Sequence, residues 1–170
     1  KQTLYQFLKE QDFEDKELLE SNVVKLDQNN KIRDFFYNRL MFPIANEFGK
    51  IVGFGGRVLD NSNPKYINSP ESDFFKKRNI LYNLFNVKQN IRSKKNMLIC
   101  EGYMDVISLY DKNIKTAVAP LGTSLTDSHL LLSWKYVNKP TLMFDGDSSG
   151  LKASFKSAIM SLPYLSPAGL

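Results

Sequence analysis

Three short apolar segments, each followed by a segment of helical character, most constrain how this 170-residue chain can fold. Repeated strand–helix succession implies a parallel sheet with right-handed crossovers. Ligands of such sheets bind beside the carboxyl ends of the strands, so the residues that follow each strand are the first candidates for function. The pattern predicts strands at 97–100, 116–119 and 141–144, and helices at 103–112, 126–137 and 149–161.

Acidic residues stand at the ends of two of these predicted strands. Glu101 follows the first strand with Asp105 one helical turn later, and Asp145 and Asp147 follow the third. Grouped carboxylates repel one another unless a cation neutralises them, and such hard oxygen ligands suit Mg²⁺ or Mn²⁺. A simpler role for Asp147 is to cap the next helix, and Asp105 is also a first-turn acid favoured by the helix dipole. Metal binding and these local roles both stay open at this point.

The first half of the chain has a different, mixed character. Its glycine-rich stretch at 53–57 excludes a helix there, and the run at 60–73 is predicted to be mostly loop because of its prolines. Short peripheral helices are predicted within residues 1–20, a further helical turn or two at 33–39, a β-hairpin formed by 41–45 and 50–54, and a helix at 74–88.

The net charge of +5 is unevenly distributed along the sequence. Between residues 31 and 95, 13 Lys and Arg face five Asp and Glu, whereas residues 96–170 carry six of each sign. A basic segment followed by a neutral segment with grouped acids is typical of a polyanion-binding track beside a metal site. A surface kept soluble by lysines is the alternative explanation.

Cysteine and histidine usage excludes several classes of protein. Cys100 and His129 are the only residues of their kinds, so neither an intrachain disulfide nor a zinc finger can form within this chain. Cys100 is expected to be a small core residue, and His129 is expected to have a structural role. No apolar run approaches the roughly 20 residues that cross a bilayer, so no membrane partner is expected. A reducing, cytoplasmic compartment fits this composition.

Motifs in both halves resemble one protein family. The segments EGYMD (101–105) and DGDSSG (145–150) look like the TOPRIM domain, and APLGTSLT (119–126) is similar to the second TOPRIM loop of bacterial primases. Four upstream motifs resemble the DnaG-type primase core in the same order: RLMFPI (39–44), GFGGR (53–57), PKYINSPE (64–71) and FKKRNILY (75–82).

This resemblance implies an α/β fold in two parts. Residues 1–92 would form an N-terminal mixed α+β basic subdomain, and residues 93–170 a TOPRIM-type parallel βα sheet. In the family, a further acidic cluster follows the third TOPRIM helix, and no such cluster follows Lys156 here. The TOPRIM part is therefore expected to be truncated at its C-terminus, and its metal site and activity to be incomplete in this fragment.

The resemblance also implies a function, namely template-directed synthesis of short RNA primers on single-stranded DNA by metal-dependent nucleotidyl transfer. Glu101 would be the acid closest to the reacting 3′-hydroxyl and the metal, Asp145 and Asp147 would hold Mg²⁺ or Mn²⁺, and Asp105 would support them. In the family, basic residues line a cleft that faces the metal site and binds nucleotide and template. The corresponding residues here are Arg39, Arg57, Lys65 and Lys77, supported by Tyr66 and Asn68.

The expected partners are the single-stranded template, ribonucleoside triphosphates and the RNA primer–DNA hybrid. Contacts with a replicative helicase and a single-strand-binding protein would use regions absent from this chain, and zinc is expected only in a separate N-terminal module. Other TOPRIM functions are less well matched. A topoisomerase needs a nucleophilic tyrosine on another domain, a nuclease does not need the Lys65–Tyr66 stretch, and recombination mediators carry a zinc motif.

Overall fold

The computed structural model describes residues 2–91, 96–122 and 124–165, which divide into two compact units. Unit 1 comprises Lys1–Pro43 and Gly53–Pro70, and unit 2 comprises Ile44–Val52 and Glu71–Leu170. The predicted subdomain boundary at 92/93 falls outside the described residues and stays a prediction, as does the predicted C-terminal truncation.

Unit 1 begins with two short helices and a small antiparallel sheet. Thr3 starts the first helix, because its hydroxyl accepts a hydrogen bond from the Gln6 N–H in a capping box. The carboxylate of Asp34 accepts the N–H groups of Leu4 and Tyr5 and thereby ties this helix to the sheet. The prediction of short N-terminal helices is confirmed. The elements are α1 (Leu4–Lys9), α2 (Asp15–Glu20), β1 (Val24–Leu26) and β2 (Ile32–Asp34).

The predicted helical turn at 33–39 is wrong. Residues up to Asp34 belong to strand β2, which pairs with β1, and the Phe35 N–H donates to the Val23 carbonyl at 2.9 Å. Asn38 then has a positive φ of 49°, a conformation that a right-handed helix does not contain. Pairing with β1 thus overrides the weak local preference of this segment.

A three-stranded sheet follows, with strand order β3-β4-β5. Its strands are β3 (Arg39–Ala45), β4 (Ile51–Val58) and β5 (Tyr66–Asn68). The predicted hairpin is confirmed, although both of its strands are longer than predicted. Its turn is closed by the Asn46 N–H, which donates to the Lys50 carbonyl, and Gly49 supplies the positive φ of 84° that the turn requires. The short strand β5 interrupts the stretch that was predicted to be loop.

The helix predicted at 74–88 is only partly correct. It contains a single 3-10 turn (Lys77–Asn79) and then helix α3 (Leu84–Asn90). Between them, the Tyr82 N–H donates to the Ala119 carbonyl at 2.7 Å, and Asn83 adopts a left-handed conformation. The segment is therefore extended where it bridges to the strand region at Ala119.

Unit 2 contains the three predicted strand–helix units. All three strands are parallel, in the order β7-β6-β8, which confirms the predicted sheet. The elements are β6 (Leu98–Cys100), α4 (Tyr103–Asp111), β7 (Ala117–Val118), α5 (Asp127–Trp134), β8 (Thr141–Met143) and α6 (Ser148–Ser161).

The central strand β6 is covered on both faces. Ile99 belongs to a core cluster with Leu84 and Leu130, whereas the next residue, Cys100, packs with Val106. Successive side chains of a strand point to opposite faces, so these are the two sides of the sheet. A strand buried on both faces reads as a continuous apolar run, which is why it was predictable from sequence.

The end of the β3–β4 hairpin packs within unit 2. The Tyr136 hydroxyl donates to Glu47 at 2.6 Å, and Lys88 Nζ donates to the Glu47 carbonyl at 2.8 Å. Burial and the neighbouring Glu47 carboxylate raise the pKa of Tyr136 to about 12. Gly49 lies directly against the Phe85 ring, so the turn has no room for a side chain. In the described part of the chain, no helix has the length and apolarity needed to span a membrane.

Replacing Gly49 by Ala should destabilise the protein. The added Cβ would stand 2.8 Å from Phe85 Cε2, and the positive φ disfavours any L side chain. We expect a loss of about 1–3 kcal/mol in the free energy of unfolding, measured by urea denaturation. The control Lys50→Ala changes an exposed neighbour and should stay within about 0.5 kcal/mol of wild type. Equal stability of the two variants would contradict the packing described for this turn.

Candidate active site

The ends of β6 and β8 bring two of the predicted acids together. Leu98–Cys100 pair in parallel with Thr141–Met143, so the loops that follow both strands leave the same edge of the sheet. There the Asp145 N–H donates to Glu101 Oε1 at 3.1 Å. The expected convergence of Glu101 with the 145–147 loop is therefore present in the structure.

The other two acids perform the simpler roles considered from the sequence. Asp147 is the N-cap of α6 and accepts the Gly150 N–H on Oδ1 at 2.8 Å. Asp105 accepts the Gly102 N–H on Oδ2 at 3.0 Å and so closes the first turn of α4. Each of these bonds occupies one carboxylate oxygen and orders an acidic loop, and all four acids are exposed.

Gly150 allows α6 to begin against this acidic edge. A Cβ at this buried position would stand 2.1 Å from the Asp145 carbonyl oxygen and 2.8 Å from Glu101 Oε1. Gly146 lies between the two aspartates but has open space around it. The site thus requires glycine at position 150, because no side chain fits there. The sequence contains Gly150 in the motif at 145–150 but did not predict this packing role.

The donor set at this edge consists of carboxylate oxygens, which suit a hard divalent cation. Among the described residues, no three Asp, Glu, His or Cys side chains are grouped closely enough to hold a metal by themselves. Mg²⁺ is commonly bound by one or two carboxylates, with water and substrate phosphates supplying the other ligands. Glu101 and Asp145 supply oxygen ligands of that kind, and the assignment of three carboxylates to the metal stays a prediction.

The predicted basic and polar residues of unit 1 lie on and beside strands β4 and β5. Arg57 pairs with Tyr66 and Gly55 with Asn68, so Arg57, Tyr66 and Asn68 share one face of the sheet. The Arg57 guanidinium carbon is 5.8 Å and Lys65 Nζ is 6.0 Å from the Tyr66 ring centroid. Arg57 Nε and Asn68 Oδ1 are buried, and neither has a hydrogen-bond partner in the described part of the chain.

Arg39 differs from the other predicted cations. Its guanidinium donates to three backbone carbonyls, those of Gly56 (3.3 Å), Lys65 (3.4 Å) and Pro64 (2.9 Å). The fork of donors that would suit a phosphate is therefore directed at the protein backbone.

Lys77 belongs to unit 2, on the 3-10 turn. Its Nζ lies 5.9 Å from the Phe75 ring centroid, and its N–H donates to Glu71 Oε1 at 3.1 Å. The acids and Lys77 are thus in one unit, and the remaining predicted binding residues are in the other. The predicted cleft between them stays a prediction.

His129 holds the backbone of the Lys77 turn. Its Nδ1 accepts the Thr126 N–H at 3.2 Å, so the proton is on Nε2, which donates to the Lys77 carbonyl at 2.9 Å. The Thr126 hydroxyl donates to the next carbonyl, that of Arg78. Burial lowers the pKa of this fully buried histidine, in agreement with the expected structural role.

Cys100 is also structural. It is completely buried on β6, directly before Glu101, and burial, with a smaller effect from Asp105, raises the pKa of its thiol to about 11. A thiol that stays protonated at neutral pH is a poor nucleophile and a poor metal ligand.

Comparison with known proteins identifies the family. A family model described as the N-terminal domain of the DNA primase catalytic core matches residues 1–88, which is more than half of the chain. The chain belongs to the DNA primase catalytic core family. A Toprim domain model matches residues 95–164. Thr123, within the 119–126 motif, lies outside the described residues.

Individual primases are similar over most of this chain. The DNA primase of Buchnera aphidicola is 43% identical over 152 residues, which are 89% of this chain and 26% of that protein. The Escherichia coli K12 DNA primase is 40% identical over 87% of this chain and 26% of its own length. The chain therefore spans about a quarter of the curated relatives that it matches.

Solved primase structures share the fold. A DnaG primase catalytic domain bound to single-stranded DNA superposes with a TM-score of 0.83 at 39% identity, covering 89% of this chain and 49% of that chain. The Aquifex aeolicus primase structure, which comprises zinc-binding and RNA polymerase domains, also superposes with a TM-score of 0.83 at 39% identity. The match covers 92% of this chain and 38% of that chain.

Two glycines of this primase-family site should respond differently to the same substitution. Gly150→Ala places a Cβ against the Asp145 backbone, so we expect a loss of about 1–3 kcal/mol or more in unfolding free energy. Gly146→Ala enters open space and should keep near wild-type stability. Thermal and urea denaturation compare the two variants, and a stable Gly150→Ala protein would contradict the close approach of α6 to the 145–147 loop.

Stability should fall as the pH drops below about 6.5, the ordinary pKa of histidine. The pKa of His129 is lowered in the folded state, so the unfolded chain takes up the proton first and acid favours unfolding. The contribution of neutral His129 to the free energy of unfolding is fully present above about pH 6.5. It is lost as the pH falls toward the pKa of the folded state, at up to about 1.4 kcal/mol per pH unit.

The measurement for this effect is the free energy of unfolding at pH 7.5 and 5.5. His129→Gln removes the only side chain of the chain that ordinarily titrates in this range, so its stability should change less between the two pH values. The same pH dependence in both proteins would exclude His129 as its source.

Proposed function

We propose that the protein containing this chain is a DNA primase, a nucleotidyltransferase that synthesises short RNA primers on single-stranded DNA from ribonucleoside triphosphates. The observation that carries the proposal is the contact between Glu101 and the Asp145 backbone at the carboxyl edge of a parallel sheet, in a chain of the primase core family. Catalytic residues are expected at this edge in an open α/β sheet.

Glu101, Asp145 and Asp147 are the residues that would hold divalent metal, with Mg²⁺ or Mn²⁺ the ions that suit their oxygen ligands. When bound, the metal supplies activation of the attacking 3′-oxygen and neutralisation of the pyrophosphate leaving group. Asp105 supports the site by fixing the Gly102 N–H, which orders the loop that starts at Glu101. Asp147 fixes the start of α6 in the same way.

The basic residues would bind the polyanionic substrates. Arg57, Lys65 and Lys77 provide charge for phosphates, while Tyr66 and Asn68 form the wall beside Arg57 on β4 and β5. Arg57 suits bidentate phosphate contact and the lysines act as point charges. The buried polar atoms of Arg57 and Asn68 support this assignment, because buried groups of this kind normally have a partner.

The partners would be the single-stranded template, ribonucleotides and the primer–template hybrid. A similar DnaG catalytic domain is described as bound to single-stranded DNA, which supports a DNA template here. A replicative helicase and a single-strand-binding protein would contact regions outside this chain, in the bacterial cytoplasm. We retain residues 1–92 and residues 93–170 as the two proposed subdomains of the chain.

Incorporation of labelled ribonucleotides on a single-stranded template tests the proposal in the full-length protein. Glu101→Gln and Asp145→Asn should each lower primer synthesis by on the order of 100-fold, typical for loss of one group that stabilises the transition state. Glu10→Gln changes an exposed acid in unit 1 and should retain wild-type synthesis.

Two results would overturn parts of this proposal. Wild-type activity of Glu101→Gln would reject its catalytic role. If the protein cleaved DNA but did not incorporate ribonucleotides, the assignment as a primase would have to be replaced by that of a nuclease.

The affinity for the template should fall steeply as the salt concentration rises, because contacts between cationic side chains and phosphates release counterions.

A further inference from the structure

We infer that Arg39 is a positioning residue, whose guanidinium orders the backbone that presents Lys65 and Tyr66 instead of contacting nucleic acid itself. This inference rests on the proposed role of Lys65 in template binding. It replaces the expectation that Arg39 belongs to the phosphate-contacting residues.

The first support is the direction of the Arg39 donors. Nη1 donates to the carbonyls of Gly56 and Lys65, and Nη2 donates to that of Pro64. Two of the three guanidinium nitrogens are thus directed at backbone acceptors from β4 and from the two residues before β5. One planar group joins three carbonyls, which a single ammonium cannot reproduce with the same geometry.

The second support is the nature of the segment that receives these bonds. Every residue from 59 to 65 is exposed, so buried side chains do not fix this loop. Asn38 Nδ2 donates to Asp60 Oδ2 at 3.0 Å near the start of the loop, and Arg39 holds its end at Pro64 and Lys65. Two consecutive residues of the chain therefore fasten both ends of an otherwise unpacked loop.

The third support is the space reserved for the Arg39 side chain. A Cβ at Gly56 would stand 3.0 Å from Arg39 Cδ and 2.7 Å from Phe36 Cδ1. The absence of a side chain at Gly56 lets the aliphatic part of Arg39 lie directly on β4, from where its head reaches the three carbonyls.

The consequence concerns the placement of charge. The Lys65 carbonyl accepts from both Arg39 and the Val58 N–H, so the backbone of Lys65 is fixed from two sides. Lys65 Nζ then lies 6.0 Å from the Tyr66 ring centroid. Loosening the loop would leave the lysine in the chain but remove its preorganisation, which weakens binding.

The test is a double-variant comparison in the full-length protein, using fluorescence anisotropy with a single-stranded oligonucleotide. Arg39→Lys keeps the charge and should weaken binding about as much as Lys65→Ala. The double variant should bind within about twofold of the weaker single variant, because Lys65 contributes little once its backbone is released. Arg33→Lys makes the same substitution at an exposed arginine paired with Asp27 and should bind like wild type.

Two binding results would overturn the inference. Wild-type affinity of Arg39→Lys would show that charge alone suffices. If the losses of the single variants multiplied in the double variant, Arg39 would act through a contact of its own. Failure of Lys65→Ala to weaken binding would instead count against the proposed function, so the two failures are distinguishable.

Amide hydrogen exchange separates positioning from contact. Arg39→Lys should accelerate exchange of the Val58 and Ser62 N–H groups, which donate to the Lys65 carbonyl and to Asp60 Oδ1, and leave the rest of the chain unchanged. Unchanged exchange with weakened binding would overturn the inference. Asn38→Gly releases the other end of the loop without altering charge and tolerates the positive φ of that position. It should accelerate the same amides and weaken binding; wild-type exchange in a folded Asn38→Gly protein would contradict the fastening described here.

Discussion

Parallel pairing of β6 with β8 determines where the two acidic loops of unit 2 meet. Strands paired side by side in the same direction end at the same edge, and here the residue after β6 accepts a hydrogen bond from the backbone that follows β8. The contact between Glu101 and Asp145 is thus a product of sheet register. Gly150 completes the arrangement because it lets α6 begin against the Asp145 carbonyl.

In both units, polar side chains order backbone segments by donating hydrogen bonds to backbone carbonyls. In unit 1 Arg39 joins three carbonyls around the loop before β5, and in unit 2 His129 and Thr126 hold those of Lys77 and Arg78. Both devices order segments that carry candidate binding lysines. Such side chains can affect nucleic-acid binding through the backbone, without touching the ligand.

The sequence predicted those parts of the fold that have a strong local pattern. The parallel sheet was predicted because three short apolar segments are each followed by a helical segment, and the hairpin because a turn containing Gly49 separates two apolar runs. The short strands β2 and β5 were missed because neither is a continuous apolar run, and each is held in place by pairing with a strand elsewhere in the chain. The segment at 74–88 was predicted as one helix because its extended part is set by a hydrogen bond to Ala119.

The site was predictable to a lesser degree. The meeting of Glu101 with the 145–147 loop follows from topology, and the capping of α6 by Asp147 was already an alternative. The hydrogen bonds of Arg39 could not be predicted, because their acceptors are backbone carbonyls. Every residue has a backbone carbonyl, so the sequence does not show which ones Arg39 binds. The close approach at Gly150 was equally hidden, since a glycine in a motif does not reveal which atom it faces. The metal and nucleic-acid roles of these residues remain predictions.

The burial of Cys100 gives this protein an internal reporter at a useful position. Its thiol is the only one in the chain, lies at the end of the central strand and is shielded from solvent. A soluble alkylating reagent can react only when that strand opens, so the labelling rate follows the local opening equilibrium. The thiol is adjacent to Glu101, and the same rate would therefore measure how firmly the loop that begins there is held, without a mutation in the loop itself.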